Sequence, residues 1–212
     1  MHSVIHLRRP PIVQVSPEPW VPDDAIREQA QQRWDVMCAA NGKLFDGGLL
    51  QVIGVQRTGC GGATIQAMPC AFKWYAVQAD GPDCGCRPLG VKGLVRRGEH
   101  ILMGQRALWT TFHGGDWECA PSGGVEPGQT PEAAVERELQ EETGLLIDQP
   151  PHARAILFDD TALSWEVVFE LSIADDAMPI AAAEYESLNW YTSATMPKAL
   201  TPTAQRMLAM LG

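Results

Sequence analysis

The sequence predicts an α/β fold, a mixed sheet flanked by helices, preceded by a smaller α+β unit. Stretches of strand and helix character alternate along the 212 residues without the regular βαβ rhythm of a doubly wound sheet. An apolar content of 45% over that length suffices for a full core and a second, smaller unit. A turn-rich connection at 79–88, ADGPDCGCRP, separates two apolar regions. It divides the chain into an accessory subdomain, residues 1–86, and a main domain, residues 87–212.

The elements follow in order. Residues 12–15 read as a short strand, and Asp23 or Asp24 then caps a helix whose Ile26, Ala30, Trp34, Met37 and Cys38 recur at helical spacing until Asn41-Gly42 stops it. The Trp34 stripe reads as a core face. Residues 49–55 and 63–77 alternate like strands. Residues 89–95 and 101–103 flank a turn at Arg97-Gly98-Glu99 and predict a β-hairpin. A Gly-rich turn at 122–124 precedes a short helix. Residues 153–158 and 165–173 read as strands around an Asp159-Asp160 turn, residues 187–191 as another strand, and Thr201 caps a last helix over 202–211.

The short helix after the Gly-rich turn carries Glu138, Glu141 and Glu142, with Arg137 beside them. At about 100° per residue, Glu141 falls roughly 60° to one side of Glu138 and Glu142 about 40° to the other, so three carboxylates share a narrow arc. Like charges at this spacing each cost a helix about 0.2 to 0.5 kcal/mol. A solvated face normally interleaves Lys with Glu, whereas residues 132–142 hold one Arg and no Lys. A hard divalent cation is the natural partner, because Mg²⁺ takes oxygen ligands and is bound through a few carboxylates together with substrate phosphates.

These residues resemble the signature of the Nudix hydrolase family, Gly-x5-Glu-x7-Arg-Glu-U-x-Glu-Glu-x-Gly-U with U a bulky aliphatic residue. Gly123, Arg137, Glu138, Leu139, Glu141, Glu142, Gly144 and Leu145 stand at its spacing. Gln129 stands where the pattern has its first Glu, and Ser122 replaces the leading Gly of the usual Pro-Gly-Gly. The stretch Gly115-Asp116-Trp117-Glu118 leads into the box as in the family. The resemblance implies a Nudix-type α/β/α sandwich over residues 87–212.

It also implies a hydrolase that uses Mg²⁺ or Mn²⁺ to cleave the pyrophosphate bond of a nucleoside diphosphate linked to another moiety, with a nucleotide sugar favoured. The alternative is a nucleotide-binding or regulatory module of the same fold. The implied metal ligands are Glu138, Glu141 and Glu142, together with the main chain at Gly123, and Arg137 orients them. Family members often use a further Glu outside the box as base or ligand, a place that Glu184 or Glu186 can fill. Glu138 is the other candidate base.

Around the box, Arg106 either grips a distal phosphate through its planar fork or lies on the surface. Trp109, Phe112 and Tyr185 either stack on a base or pack in the core. Isomerisation of an isoprenoid diphosphate would want a catalytic thiol, and Cys119 is close to the box, although a packed thiol is the plainer reading. The six cysteines lack the C-x₂₋₄-C spacing of zinc sites, which predicts reduced, packed thiols. A formal charge of -10 argues against unaided grip on nucleic acid. No apolar run is long enough to span a membrane, and the first residues lack the apolar region of a secretory signal, so a cytoplasmic location is expected. Accessory segments of this kind also predict a homodimer.

Overall fold

A computed structural model of the chain describes residues 4–42 and 44–210. Leu211, the last residue of the final helix read from the sequence, and Gly212 lie outside them. In chain order the elements are β1 (Ile5–His6), β2 (Ile12–Val15), α1 (Asp24–Ala40), β3 (Gly48–Thr58), β4 (Gly62–Ala71) and α2 (Phe72–Ala76). Then come β5 (Leu89–Arg97), β6 (His100–Arg106), β7 (Trp117–Cys119), β8 (Ser122–Gly124), α3 (Pro131–Thr143), β9 (His152–Asp159), β10 (Ser164–Leu171), β11 (Tyr185–Tyr191) and α4 (Pro202–Ala209).

The large sheet runs β1-β9-β10-β5-β6-β11, with β7 on β6 and β8 on β5. β5 and β10 are parallel and their neighbours antiparallel, the mixed sheet that the sequence predicts. One face carries α3, whose Ala134, Val135 and Leu139 join Leu89, Val91, Val167 and Phe169 in a common core. The other carries α4, whose Ala204 and Met207 meet Leu94, Leu157 and Val168. Both helices are capped by chemistry visible in the sequence. The Thr130 hydroxyl accepts from Ala133 N–H and Thr201 from Ala204 N–H, each followed by a proline at the first helical position. Such a cap contributes about 1 kcal/mol. Gly144 ends α3 at φ 68°, a conformation that glycine adopts without penalty.

The first 86 residues build a second, three-stranded sheet, β2-β4-β3, with α1 and α2. Ala30 and Trp34 of α1 are buried, the core face read from their spacing. This region shares its interior with the large sheet, since Leu50, Val52 and Ile65 belong to the core that α3 covers. β1 pairs antiparallel with β9 at the edge of that sheet.

Two local expectations fail. The predicted strand at 63–77 stops at Ala71 and turns into α2, because the loop before β3 captures the next amides: Phe72 N–H donates to the Gly47 carbonyl at 2.8 Å and Lys73 N–H to Asp46 Oδ1 at 3.0 Å. Helical winding then buries Trp74, Ala76 and Val77 beside Trp34. The predicted turn at 122–124 is instead strand β8, held against Gly90, Val91 and Lys92 of β5. The bend falls later, at Gly128, whose φ is 89°.

Candidate active site

Helix α3 and strand β8 meet edge to edge. Glu138 reaches over Gly123 so closely that a Cβ on residue 123 would lie 2.0 Å from the Glu138 Cδ and Oε1 atoms. Any side chain there would have to displace the Glu138 carboxyl. Arg137 Nη2 pairs with Glu138 Oε1 at 2.8 Å and donates to the Gly124 carbonyl at 3.2 Å, while Nη1 pairs with Glu141 Oε2 at 2.8 Å. Glu141 is otherwise the exposed member of the three. Glu142 is buried. Its Oε2 accepts from Ser122 N–H at 2.8 Å and from the Tyr185 hydroxyl at 3.2 Å, and its Oε1 is buried with no hydrogen-bond partner among the described residues.

Electrostatics mark these carboxyls as under-compensated. Burial pushes Glu138 up to about 7, with Glu141 and Glu184 adding and Arg137 opposing. Burial likewise holds Glu142 well above the ordinary range, with Glu118, Glu138 and Glu184 contributing. Among the described residues, no three His, Cys, Asp or Glu side chains stand close enough together to hold a metal ion as they are placed. The donor set still fits a hard cation. It offers oxygen ligands only, an orphaned buried carboxylate oxygen on Glu142, and a Glu138 carboxyl set against main chain that glycine leaves bare.

A cavity of about 330 Å³ runs inward from Ser122, Gly123 and Glu184. Its polar centre is Glu118, which accepts from Lys92 Nζ at 2.8 Å, from Arg106 Nη1 and from Ser122 Oγ at 3.0 Å, and which shares the single Tyr185 hydroxyl proton, at 3.2 Å, with Glu142. Burial raises the Glu118 pKa, but Lys92 and Arg106 overcome it and hold the carboxyl at about 2. Deeper in stand Glu166, pushed up to about 7 by burial, and Asp159, whose Oδ1 accepts from the Thr161 and Ala162 amides.

The structure gathers some of the sequence candidates and disperses others. Arg137, Glu138, Glu141, Glu142 and Gly123 come together, and Glu184 stands at the cavity mouth. Glu186 is exposed on β11 and does not line the cavity. Arg106 lines it, but its guanidinium is committed to Glu118 and to the Phe112 carbonyl. Tyr185 is packed, with its ring against Gly104, rather than offered for stacking. Trp109 is exposed at the cavity, and Phe112 lies 5.3 Å from Tyr75, ring to ring. Cys119 is fully buried, its thiol pushed up to about 12 by burial, and it is not among the lining residues. Gln129 accepts from Glu126 N–H in the turn before α3. Lys92 and Glu166 carry no functional reading from the sequence, and Glu118 entered it only within the stretch that leads into the box. The available signal was a single charge inside each apolar strand, GVKGLV and WEVVF.

A model of the NUDIX domain matches residues 87–211, more than half of the chain. The chain belongs to the Nudix family. Curated relatives of this Nudix chain include an isopentenyl-diphosphate Delta-isomerase of Corynebacterium diphtheriae, 32% identical over 100 residues that cover 42% of this chain and 55% of that protein. The chain thus spans about half the length of the curated relative it matches. Among solved structures, the MutT NUDIX hydrolase from Burkholderia pseudomallei superposes with a TM-score of 0.52 at 22% identity, covering 58% of this chain and 97% of that one. A bifunctional NMN adenylyltransferase/ADP ribose pyrophosphatase from Francisella tularensis gives 0.52 at 19% identity, covering 66% and 44%, and was also solved with AMP and a Mn ion. At these identities the two structures establish the Nudix fold. Among the described residues no helix is long and apolar enough to cross a membrane.

Proposed function

We propose that this chain is a divalent-cation-dependent pyrophosphohydrolase acting on a nucleoside diphosphate linked to a second group, with a nucleotide sugar as the favoured substrate. The observation that carries the reading is the close set of Glu138, Gly123 and Glu142, with one Glu142 oxygen buried and unpartnered. Glu138, Glu141 and Glu142, with main chain at Gly123, would hold Mg²⁺ or Mn²⁺. When bound, such an ion neutralises charge on the phosphoryl oxygens and lowers the pKa of a coordinated water. The chain's own groups do the positioning. Ser122 N–H and the Tyr185 hydroxyl fix Glu142, and Arg137 aligns Glu138 with Glu141. Glu184, placed where both buried glutamates feel its charge, is favoured over Glu186 to accept the proton of the attacking water.

The similarity to an isopentenyl-diphosphate isomerase supports a second reading, proton transfer on an isoprenoid diphosphate. That chemistry wants a thiol facing the substrate, and among the described residues no cysteine lines the cavity. Hydrolysis is therefore preferred. A homodimer formed through the accessory subdomain, and a cytoplasmic setting for six unbridged thiols, complete the proposal. The test is phosphoanhydride cleavage, read by chromatography of the products or as phosphate freed from them by an added phosphomonoesterase, in nucleotide sugars, ADP-ribose, dinucleotides, triphosphates and isopentenyl diphosphate, with Mg²⁺, with Mn²⁺ and after chelation. Cation-dependent turnover of a nucleoside diphosphate derivative supports hydrolysis. Double-bond migration without phosphoanhydride cleavage, or binding with no turnover anywhere, overturns it.

A further inference from the structure

The inner end of the cavity has a charge pattern that a second phosphate would not meet well. Its two strong bases, Lys92 and Arg106, both spend their charge on Glu118, which is buried between them. Beyond that pair the described lining offers further acids, Glu166, Asp159 and Glu184, and no further Lys or Arg. An anion entering here finds like charge and no uncommitted strong base, which in a low-dielectric pocket costs far more than in water.

The same lining suits an uncharged ring that carries hydroxyls. Glu166 is set into the wall, its Oε1 accepting from Ser164 Oγ at 2.6 Å, and Gly90 leaves it room: a Cβ there would lie 2.4 Å from Glu166 Oε2. His113 Nε2 is buried without a hydrogen-bond partner, 4.0 Å from Asp159 Oδ2. A polar atom left so is a place where a ligand group is expected. Apolar surface for a ring face comes from Phe112 and Tyr75, and Leu49 and Phe72 of the accessory region close that side. The whole cavity, about 330 Å³, lies at the lower end of the roughly 300 to 1,000 Å³ usual for ligand pockets, a size that suits a compact ring.

We propose that this chamber seats an uncharged, hydroxyl-bearing glycosyl ring attached to the diphosphate and rejects an anionic one, with Glu166 as the residue that sets the preference. The assignment rests on the hydrolase reading for the diphosphate itself. It makes the first 86 residues part of the specificity pocket rather than an appendage.

Matched pairs test it: UDP-glucose against UDP-glucuronate, and ADP-ribose against its phosphorylated counterpart. Both kcat/KM with Mg²⁺ and Kd by calorimetry with the ion chelated are measured. The neutral member of at least one pair is expected to be favoured at least tenfold, and which pair responds separates a hexosyl from a ribosyl ligand. Glu166→Gln, confirmed as folded by its melting curve, is expected to narrow that gap to less than threefold. Gly90→Ala, which displaces the Glu166 carboxyl, is expected to weaken neutral-ring binding by a similar factor. Equal handling of neutral and anionic members, or an unchanged gap in Glu166→Gln, overturns the assignment and leaves hydrolysis standing. Discriminating Kd values without turnover of any compound overturn the hydrolase reading and leave the chamber's preference standing.

Discussion

Gly123 and Glu138 occupy space that no side chain at position 123 can share, with the would-be Cβ 2.0 Å from the carboxyl. Gly123→Ala therefore has to push Glu138 off its place or β8 away from α3. The expected outcome is a loss of hydrolytic rate of about a hundredfold or more, since misplacing a catalytic group by about 1 Å costs on that order. Steady-state kinetics with Mg²⁺, alongside circular dichroism to confirm the fold, check this.

Glu141 separates catalysis from stability. It is exposed and, among the described residues, pairs only with Arg137, a contact of the kind that contributes up to about 1 kcal/mol. Glu141→Gln should leave the melting temperature nearly unchanged while removing most of the cation-dependent rate. A rate within about threefold of wild type would remove Glu141 from the metal set.

Glu118 is the reverse case, a buried carboxylate serving two cations. Removing one partner of a buried pair costs about 3 to 5 kcal/mol, so Glu118→Ala should melt far below wild type. Its pKa, held at about 2 against an ordinary value of 4.5, sets the sign with pH. The stabilisation is complete above the unfolded value and is lost as pH falls from about 4.5 towards 2. Urea titrations from pH 7 to pH 3 read that loss directly.

Glu166 has the opposite sign. Its folded pKa is raised to about 7, so the fold prefers the protonated form and stability falls as pH rises from about 4.5 through 7. Glu166→Gln removes this dependence. At pH 8 the variant is expected to exceed wild type by about 1 to 3 kcal/mol, and at pH 4.5 to show little of that gain, by the same denaturant titration.

Gln129 hydrogen-bonds in the turn ahead of α3 rather than to the glutamate cluster. Gln129→Glu should accordingly change the hydrolytic rate by less than about threefold. A tenfold gain would mean that the missing carboxylate limits catalysis in this chain.

The parts of the fold legible in the sequence are those set by local chemistry. Thr130-Pro131 and Thr201-Pro202 announce two helices, and Gly98 announces the β5–β6 turn, at φ 58°. The fixed spacing from Gly123 to Leu145 marks the glutamate cluster in the same way. What escaped depends on partners distant in sequence. Phe72–Ala76 is helical because residues 46 and 47 take its amides, and Lys92 and Glu166 meet only because β5 and β10 run side by side. Arg106 looks like a free phosphate clamp until Glu118, twelve positions on, folds against it.

The two-residue strand β1 also constrains how this molecule can be cut. Ile5 and His6 lie along β9, and Leu50, Val52 and Ile65 fill the interior beneath α3. A fragment beginning at residue 87 would uncover both an unpaired strand border and an oily hollow, the two surfaces on which chains stick to one another. Trimming to the signature-bearing portion should yield aggregates in place of a smaller working enzyme, and the beginning and the end of this polypeptide have to be produced together.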